Sequence, residues 1–393
     1  MLAEAKPADI TASTPTGDPW LLTPGPLTTT PEVKQAMAHD YGSRDHHFID
    51  INRCVREMLV DIVHGGGDFT TVPLQGSGTF VVEAMIGTFV PPTGKLLVLV
   101  NGAYGQRIVR IAGYHRRAVE IIEVPEDRPV DPVSVERALV ADAGITHVVI
   151  VHCETTTGIL NPVAEVADIV KQQGRRYLID SMSAFGALPL DSREIYFDAA
   201  VASSNKCLEG VPGVGFCIAR KSALDKTKGN APALTLDLYD QWIAMEKTAQ
   251  WRFTPPVQVL AAFHKALEIF AEEGGVDGRY RRYAGNCHLL VNGMREFGFQ
   301  TLLPDNLQAP IIVTFLTPRD RRFDFQDFYD RLRRKGFVIY PGKLTVAETF
   351  RIGCIGAIGP DQINAALDAV RKTLDEMGVT DCAAAAKPAK PIG

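Results

Sequence analysis

The stretch RRYLIDSMSAFGALPLDSREIYFDAAVASSNK, residues 175–206, decides the fold. It contains two short apolar runs, YLI and FDAAVA, and each leads into a residue that can do chemistry: Asp180 follows the first and Lys206 the second. Strands that are apolar on both faces are typical of a mainly parallel sheet covered by helices. Because ligands bind at the carboxyl ends of strands in such sheets, Asp180 is predicted at a ligand site.

Outward from this stretch, apolar runs alternate with amphipathic stretches. Residues 131–142 and 162–173 have the apolar spacing of helices, near 3.6. This repetition predicts an α/β fold with a mainly parallel central sheet. The predicted strands are KLLVLVNG (95–102), VEIIEVP (119–125), THVVIVHCE (146–154), RRYLIDSMSAFG (175–186), FDAAVASSNK (197–206) and GVGFCIAR (213–220).

The pattern changes after a long helical region around residues 256–298. Strand-like runs GFQTLLP, APIIVTFLTP, FVIYPG and TFRIGCIG then surround one helix near FDFQDFYDRLRRKG, which indicates a smaller α+β domain. The 393 residues therefore predict a large domain over 19–275 and a small C-terminal domain over 276–380. The unpatterned ends, 1–18 and 381–393, are predicted to be disordered tails.

Composition excludes several classes of function. A net charge of -5 gives no broad positive field for nucleic acid or anionic lipid. The seven cysteines are scattered, without a C-x-x-C pair, which is typical of a reducing compartment. The first twenty residues lack the basic flank and apolar run of a signal peptide, and no apolar stretch is long enough to span a membrane. A cytoplasmic protein that acts on small molecules, without membrane or nucleic-acid partners, is predicted.

The turn QGSGTF, residues 75–80, lies between the apolar run TTVPL and the helical stretch VVEAMIGTF. Glycines allow close backbone approach, the amides at a helix start bind anions, and Ser77 and Thr79 add hydroxyls, so an anion site is predicted. A plain tight turn is the alternative, since the spacing matches neither the dinucleotide nor the Walker motif.

Three charged residues are candidates for catalysis or binding. Asp180 could hold a pyridine nitrogen protonated, or simply cap a helix. Lys206 has small hydroxyl neighbours before it and apolar ones after it, which suits a partly desolvated amine for Schiff-base chemistry, although a surface lysine is the alternative. Arg351, within the apolar run TFRIG, could bind a carboxylate or phosphonate with its planar fork, or form a structural salt bridge.

Taken in order, these motifs resemble the class V aminotransferases of fold type I, over about residues 20–375. The series comprises SGT (77–79), NGAYGQR (101–107), ETTTG (154–158), DSMS (180–183), SNK (204–206) and FRIG (350–353). The resemblance implies pyridoxal 5'-phosphate as cofactor and a homodimer with composite active sites. It assigns the cofactor phosphate to Ser77, Gly78, Thr79 and a partner's Thr254, ring stacking to Tyr104, and the neighbourhood of the ring hydroxyl to Thr155. It also assigns the ring nitrogen to Asp180, a further cofactor contact to Ser203, the Schiff base to Lys206 and the substrate anion to Arg351.

Within that family, the strings LLTPGPLTTTPEVK, HCETTTGILNP, LDLYDQW, WRFTPP and GFVIYPGK are similar to enzymes that use 2-aminoethylphosphonate and pyruvate. The implied reaction is a ping-pong transfer that gives phosphonoacetaldehyde and L-alanine. Residues 43–48 depart from that pattern, with a basic patch of Arg44, His46 and His47 in place of tryptophan and acidic residues. An alanine/serine–glyoxylate enzyme or a related aminophosphonate transaminase therefore stays open.

Two more distant alternatives are a desulfurase and a protein of this fold that only binds a partner. A desulfurase would need a mobile cysteine near the end of the chain, whereas Cys354 lies in a predicted strand. The presence of both Lys206 and Asp180 argues against a protein without catalysis.

Overall fold

The computed structural model describes residues 12–342 and 348–384. Its helices are α1 (Pro31–Gln35), α2 (His46–Ile62), α3 (Gly78–Phe89), α4 (Ala103–Tyr114), α5 (Pro132–Ala141), α6 (Val163–Gln172), α7 (Lys221–Leu224), α8 (Leu238–Thr248), α9 (Val257–Glu272), α10 (Gly275–Glu296), α11 (Phe325–Arg334) and α12 (Pro360–Met377). Its strands are β1 (Trp20–Leu21), β2 (Phe69–Gln75), β3 (Lys95–Val100), β4 (Ala118–Glu123), β5 (Ile145–Val151), β6 (Cys153–Glu154), β7 (Ile159–Leu160), β8 (Arg176–Asp180), β9 (Ala199–Ser203), β10 (Val214–Arg220), β11 (Ile312–Leu316), β12 (Phe337–Val338), β13 (Tyr340–Pro341) and β14 (Thr349–Gly353).

Most of the two predicted tails lies outside the described residues. In the parts that the structure describes, the amide of Thr14 donates to the carbonyl of Asp18 at 2.8 Å, and the carboxylate of Asp18 pairs with Lys34 at 2.8 Å. Near the other end, Asp381 pairs with Arg319 at 2.7 Å.

The large sheet has seven strands in the order β2-β10-β9-β8-β5-β3-β4. Strands β9, β8, β5, β3 and β4 are all parallel to one another. Strand β10 is antiparallel to both of its neighbours, β2 and β9. The mainly parallel α/β fold predicted from the sequence is therefore confirmed. The reversed direction of β10 was not predicted, because a doubly buried strand has the same apolar pattern in either direction.

Both faces of the large sheet are buried, as the apolar runs predict. Along β3, Leu97 and Leu99 pack into one core with α2, α5, α6 and α9. The alternate residues Leu96 and Val98 pack on the other face, with α3 and α4. Side chains alternate between the two faces of a strand, so only an unbroken apolar run can fill both cores.

The direction of the strands places the polar residues of the motifs at one edge. β2 and β9 are each antiparallel to β10, so they run in the same direction as each other and as β8. The turn after β2, Asp180 at the end of β8 and Ser203 at the end of β9 therefore lie along the same carboxyl edge.

The C-terminal part has its own antiparallel sheet, β11-β14-β13, and its own core with α10, α11 and α12. Phe299, Phe315 and Phe350 pack together in that core. Of the predicted strand GFQTLLP, only Thr301 pairs, through an isolated bridge to Phe315. The helical region predicted around 256–298 is interrupted after α9 by Gly274 and Gly275, whose φ angles are +99° and +65°. This left-handed backbone cannot continue a helix.

A separate two-stranded sheet joins the N-terminal part of the chain to the C-terminal part. β1 pairs in parallel with β12, which attaches residues 20–21 to the C-terminal core. Cys354 was predicted within a strand, but β14 ends one residue earlier, at Gly353. The amide of Cys354 donates to Ile311, which lies before β11, so Cys354 is outside the ladder although its side chain is fully buried.

Candidate active site

A cavity of about 480 Å³ opens at the carboxyl edge of the large sheet. Its walls come from the turn after β2, the start of α4, the end of β8 and the segment after β9. The lining residues that the sequence analysis singled out are Ser77, Gly78, Thr79, Tyr104, Asp180, Ser203 and Lys206. Segments that are far apart in the sequence thus meet around one space, as the motifs predict.

The turn after β2 needs both of its glycines. Gly76 has a φ of +128°, a conformation that side chains strongly disfavour. A Cβ on Gly78 would lie 2.5 Å from the sulfur of Met182. Ser77 is the N-cap residue of α3, but its hydroxyl makes no capping hydrogen bond. The amides at the helix start and this hydroxyl therefore form a set of donors suited to an anion.

Tyr104 lies in the first turn of α4, not at a strand end, and Arg107 is one turn further along the same face. The guanidinium of Arg107 lies 4.9 Å from the centre of the Tyr104 ring. Its Nη1 donates to the hydroxyl of Thr79 at 3.0 Å, which leaves the proton of that hydroxyl available to a ligand. Arg107 thus joins α4 to the glycine turn.

Asp180 ends β8 and is only 4% exposed. The amide of Met182 donates to its Oδ1 at 3.0 Å, and no helix begins there, so helix capping does not explain the residue. Burial raises the pKa of Asp180 to about 6, with a further increase from the charge of Glu154. The Met182 amide and the charges of Arg107 and Lys206 act in the opposite direction. This carboxyl group therefore gains from a cationic ligand.

Lys206 follows β9 in a turn that also lines the cavity. Its Nζ donates to the carbonyl of Pro24 at 2.7 Å. A Cβ on Gly25 would lie 2.7 Å from that Nζ, so the N-terminal segment packs closely against the lysine side chain. Ser203 is buried, and its hydroxyl donates to Asn205 at 3.0 Å. The lysine is therefore part of an enclosed site, not an exposed surface side chain.

Arg351, Thr155 and Thr254 lie outside the cavity lining. Arg351 is 2% exposed, and its Nε and Nη1 donate to the carbonyls of Pro341 and Thr155 at 3.1 and 2.8 Å. Burial lowers its pKa. Thr254 is exposed in the segment before α9. Backbone carbonyls, rather than the carboxylate that a structural salt bridge requires, thus hold the arginine.

Two residues at the site, Arg107 and Glu154, were not predicted, and one patch noted in the sequence lies outside the cavity lining. Arg107 was quoted in a motif but given no role, although its spacing of three residues from Tyr104 on a helix predicts a shared face. Glu154 is fully buried, and a carboxylate at the end of an apolar run is the signal that could have found it. The basic patch of Arg44, His46 and His47 is exposed at the start of α2 and does not line the cavity.

Residues 35–351 match the class-V aminotransferases, and the chain belongs to this family. It is 54% identical to a 2-aminoethylphosphonate–pyruvate transaminase of Pseudomonas putida (strain W619), over 92% of this chain and 99% of that protein. A protein of the same name from Pseudomonas aeruginosa is 52% identical, over 92% and 98% of the two chains. The solved structure of pyridoxamine-pyruvate aminotransferase from Mesorhizobium loti superposes with a TM-score of 0.83 at 25% identity, covering 93% of this chain and 94% of that one.

No helix among the described residues is long and apolar enough to cross a membrane.

Proposed function

We propose that this aminotransferase uses pyridoxal 5'-phosphate to move the amino group of 2-aminoethylphosphonate to pyruvate, giving phosphonoacetaldehyde and L-alanine. The observation that carries the proposal is the meeting of Lys206, Asp180 and the Ser77–Gly78–Thr79 turn around one cavity. The chain is more than half identical to relatives named for this reaction. The three groups of the cofactor each find a suitable partner. The amine suits its aldehyde, the buried carboxylate suits its ring nitrogen, and the anion-binding turn suits its phosphate.

The donor set of the cavity fits the cofactor. Gly78 keeps the floor of the turn open, because any side chain there would collide with Met182. The amides at the start of α3 and the hydroxyls of Ser77 and Thr79 would bind the phosphate, and Arg107 brings positive charge to the same turn. When bound, pyridoxal phosphate supplies an aldehyde carbon that accepts the amino group and a cationic ring that withdraws electrons from the carbon carrying it.

Asp180 would keep the ring nitrogen protonated. Its pKa, raised to about 6 mainly by burial, falls when a cation lies beside it, so the carboxylate and the protonated ring nitrogen stabilise each other. Tyr104 would cover one face of the ring, and its own position is fixed by the Arg107 guanidinium. Ser203 at the end of β9 and Thr155 would complete the contacts around the ring.

Lys206 would first hold the cofactor and then move a proton. Its Nζ would hold the aldehyde of the cofactor, and the free amine would take a proton from the aminomethylene carbon of the donor. The amine must be neutral for this step, and the close packing of Gly25 against Nζ limits its contact with water.

Arg351 would bind the anionic end of both substrates. Its two backbone contacts use two of the five guanidinium N–H donors, which leaves donors for a carboxylate or a phosphonate. Since the carbonyl of Thr155 orients this guanidinium, the same loop would serve both the cofactor and the substrate.

We also propose a homodimer in which Thr254 of one subunit reaches the phosphate site of the other. Thr254 is exposed beside Phe253, which is 48% exposed, and Phe80 next to the glycine turn is 52% exposed. Exposed aromatic side chains next to Thr254 and next to the glycine turn suit burial against a second copy. The seven free cysteines suit a reducing compartment, so we propose the cytoplasm as its location.

A donor panel tests the function. Purified protein loaded with pyridoxal phosphate is assayed with pyruvate and 2-aminoethylphosphonate, and in parallel with glyoxylate and alanine or serine. We expect kcat/KM to be at least about 100-fold higher for the phosphonate pair, because an anion site that fits a phosphonate loses charge-assisted hydrogen bonds when the phosphonate is absent. A preference for the glyoxylate pairs would replace the proposal with the alanine/serine–glyoxylate reaction.

A further inference from the structure

Strand β6 ends at Glu154, whose carboxylate is fully buried, and the loop to β7 follows it. The carboxylate accepts hydrogen bonds at the start of α4: the amides of Tyr104 and Gly105 donate to Oε2 at 3.1 and 3.4 Å. Thr156 donates to Oε1 twice, through its amide at 3.1 Å and its hydroxyl at 2.5 Å. The hydroxyl of Thr156 in turn accepts from the amide of Ala103 at 3.1 Å.

These contacts favour the ionised form of Glu154. Three of the four groups that meet the carboxyl oxygens are backbone amides, which can only donate, and the fourth is the hydroxyl of Thr156. The N-terminus of α4 adds a favourable field for a negative charge. The pKa of Glu154 is raised because burial outweighs the four donors, which act in the opposite direction.

The loop between Glu154 and β7 also contacts the C-terminal sheet. The carbonyl of Thr155 accepts from Arg351 at 2.8 Å, and the carbonyl of Thr157 accepts from Thr314 on β11 at 2.9 Å. A Cβ on Gly158 would lie 2.2 Å from the carbonyl oxygen of Ile312, so this segment is packed directly against the C-terminal sheet. The loop is therefore fixed on one side to α4 and on the other to β11 and β14.

We propose that Glu154 is a positioning residue that fixes Tyr104 at the start of α4 and places a negative charge in the neighbourhood of Asp180 and Lys206. The inference rests on the proposed cofactor. The charge of Glu154 acts on the titratable groups of Asp180, Arg351 and Cys153. After burial, the charge of Glu154 is the main factor that raises the pKa of Asp180. For Arg351, where burial lowers the pKa, Tyr104, Tyr340 and Glu154 act against that change.

The test compares Glu154→Gln with Glu154→Asp in protein loaded with pyridoxal phosphate. The readout is the pH midpoint of the visible absorbance, which reports protonation at the nitrogen of Lys206. Removing a buried negative charge disfavours the protonated form, so Glu154→Gln should move the midpoint to lower pH by about one unit. Glu154→Asp keeps the charge and should keep the midpoint. Because its shorter side chain no longer reaches the amides of α4, its dissociation constant for pyridoxal phosphate should rise at least about 5-fold.

Asp198→Asn is the matched control. Asp198 is also fully buried and accepts from a backbone amide, that of Tyr177, at 2.9 Å, but it precedes β9, at the edge of the sheet opposite the cavity. It should lose stability without moving the midpoint. A midpoint for Glu154→Gln within about 0.2 units of the wild type overturns the inference. If Glu154→Gln does not fold, wild-type cofactor affinity in Glu154→Asp overturns it, and the expected loss of affinity supports it. A wild-type protein without a visible band would instead overturn the proposed cofactor.

Discussion

At the scale of single residues, the site combines buried polar groups whose environment sets their chemistry. Asp180 is a buried acid with a raised pKa, and Lys206 is an amine whose Nζ donates to the carbonyl of Pro24. In the absence of a cationic ligand, an ionised Asp180 costs folding free energy. The protein thus keeps a group that destabilises the free enzyme and that the proposed cofactor would stabilise.

Lys206→Ala should abolish transamination, because the lysine supplies both the covalent attachment and the proton transfer. The visible absorbance of the loaded protein should disappear with it, while circular dichroism stays that of the wild type. Lys171→Ala, at an exposed position near the end of α6, is the control and should retain full activity. More than a few per cent of wild-type turnover in the Lys206 variant would refute the assignment.

Asp180→Asn should affect activity and stability in opposite directions. Without the carboxylate, the ring nitrogen loses its charge partner, and kcat should fall by roughly 100-fold or more.

The stability effect follows from linkage. The pKa of Asp180 is about 6 in the folded protein and about 3.8 as the unperturbed value, so the folded state binds the proton more tightly. The free energy of unfolding then falls by about 3 kcal/mol as the pH rises from the unperturbed pKa through the folded-state pKa, and it stays low at higher pH. Cofactor-free Asp180→Asn should therefore be more stable than the wild type at pH 7.5, and the gain should disappear near pH 4. Urea unfolding at both pH values measures the difference. Equal stabilities of the wild type and Asp180→Asn at pH 7.5 would show that burial of the carboxylate does not destabilise the folded protein.

At the scale of elements, the site is assembled where strands end and helices begin. β8 and β9 deliver Asp180 and Ser203 to one edge, and α3 and α4 direct their first turns toward the same cavity. Arg351, the proposed substrate anchor, lies on β14 of another sheet, where it pairs with Tyr340 on β13 and Thr314 on β11. The orientation of the guanidinium then depends on the carbonyls of Pro341 and Thr155.

Arg351→Lys should slow both half-reactions. A lysine keeps the charge but not the planar fork, and the loss of one charged hydrogen bond costs about 1.5–3 kcal/mol, or roughly 10- to 150-fold in rate. Single-turnover absorbance follows the amino donor in one half-reaction and pyruvate in the other. Arg333→Lys, an exposed change on α11, is the control. If only one half-reaction slowed, Arg351 would not be the common anchor, and Arg44, His46 and His47 would be tested next.

At the scale of the whole molecule, we propose a division into a large domain, residues 19–275, and a small domain, residues 276–380. The seven-stranded and three-stranded sheets have separate cores, which supports this division. β1 crosses it, because residues 20–21 pair with β12. The segment that follows β1 carries Pro24 and Gly25 to Lys206, so the cavity depends on contacts from both parts of the chain.

The proposed composite site can be tested by subunit mixing. In a heterodimer of Lys206→Ala and Thr254→Val, one of the two sites has both residues intact. Random exchange should recover about a quarter of wild-type activity, because half of the dimers are mixed and each has one working site. Mixing Thr254→Val with the Lys206→Ala, Thr254→Val double variant is the control and should recover nothing beyond the activity of Thr254→Val itself. No recovery in the first mixture, with exchange verified by mass spectrometry, would contradict a shared site.

The sequence by itself determined the α/β fold, the family and the motifs that meet at the cavity. Apolar runs such as YLI and FDAAVA can only be buried on both faces, and the residues that follow them must lie at a strand end, which located Asp180 and Lys206 in advance. Strands and the residues at their ends can be predicted in this way because their pattern depends only on residues that are neighbours in the chain.

Only the tertiary structure decided which distant groups touch. The antiparallel direction of β10, the end of β14 before Cys354 and the backbone carbonyls around Arg351 all depend on segments far apart in the sequence. The same holds for Glu154, whose partners at the start of α4 lie about fifty residues earlier in the chain. Burial and hydrogen bonding across such separations are properties of the packed molecule, and periodicity along the chain does not encode them.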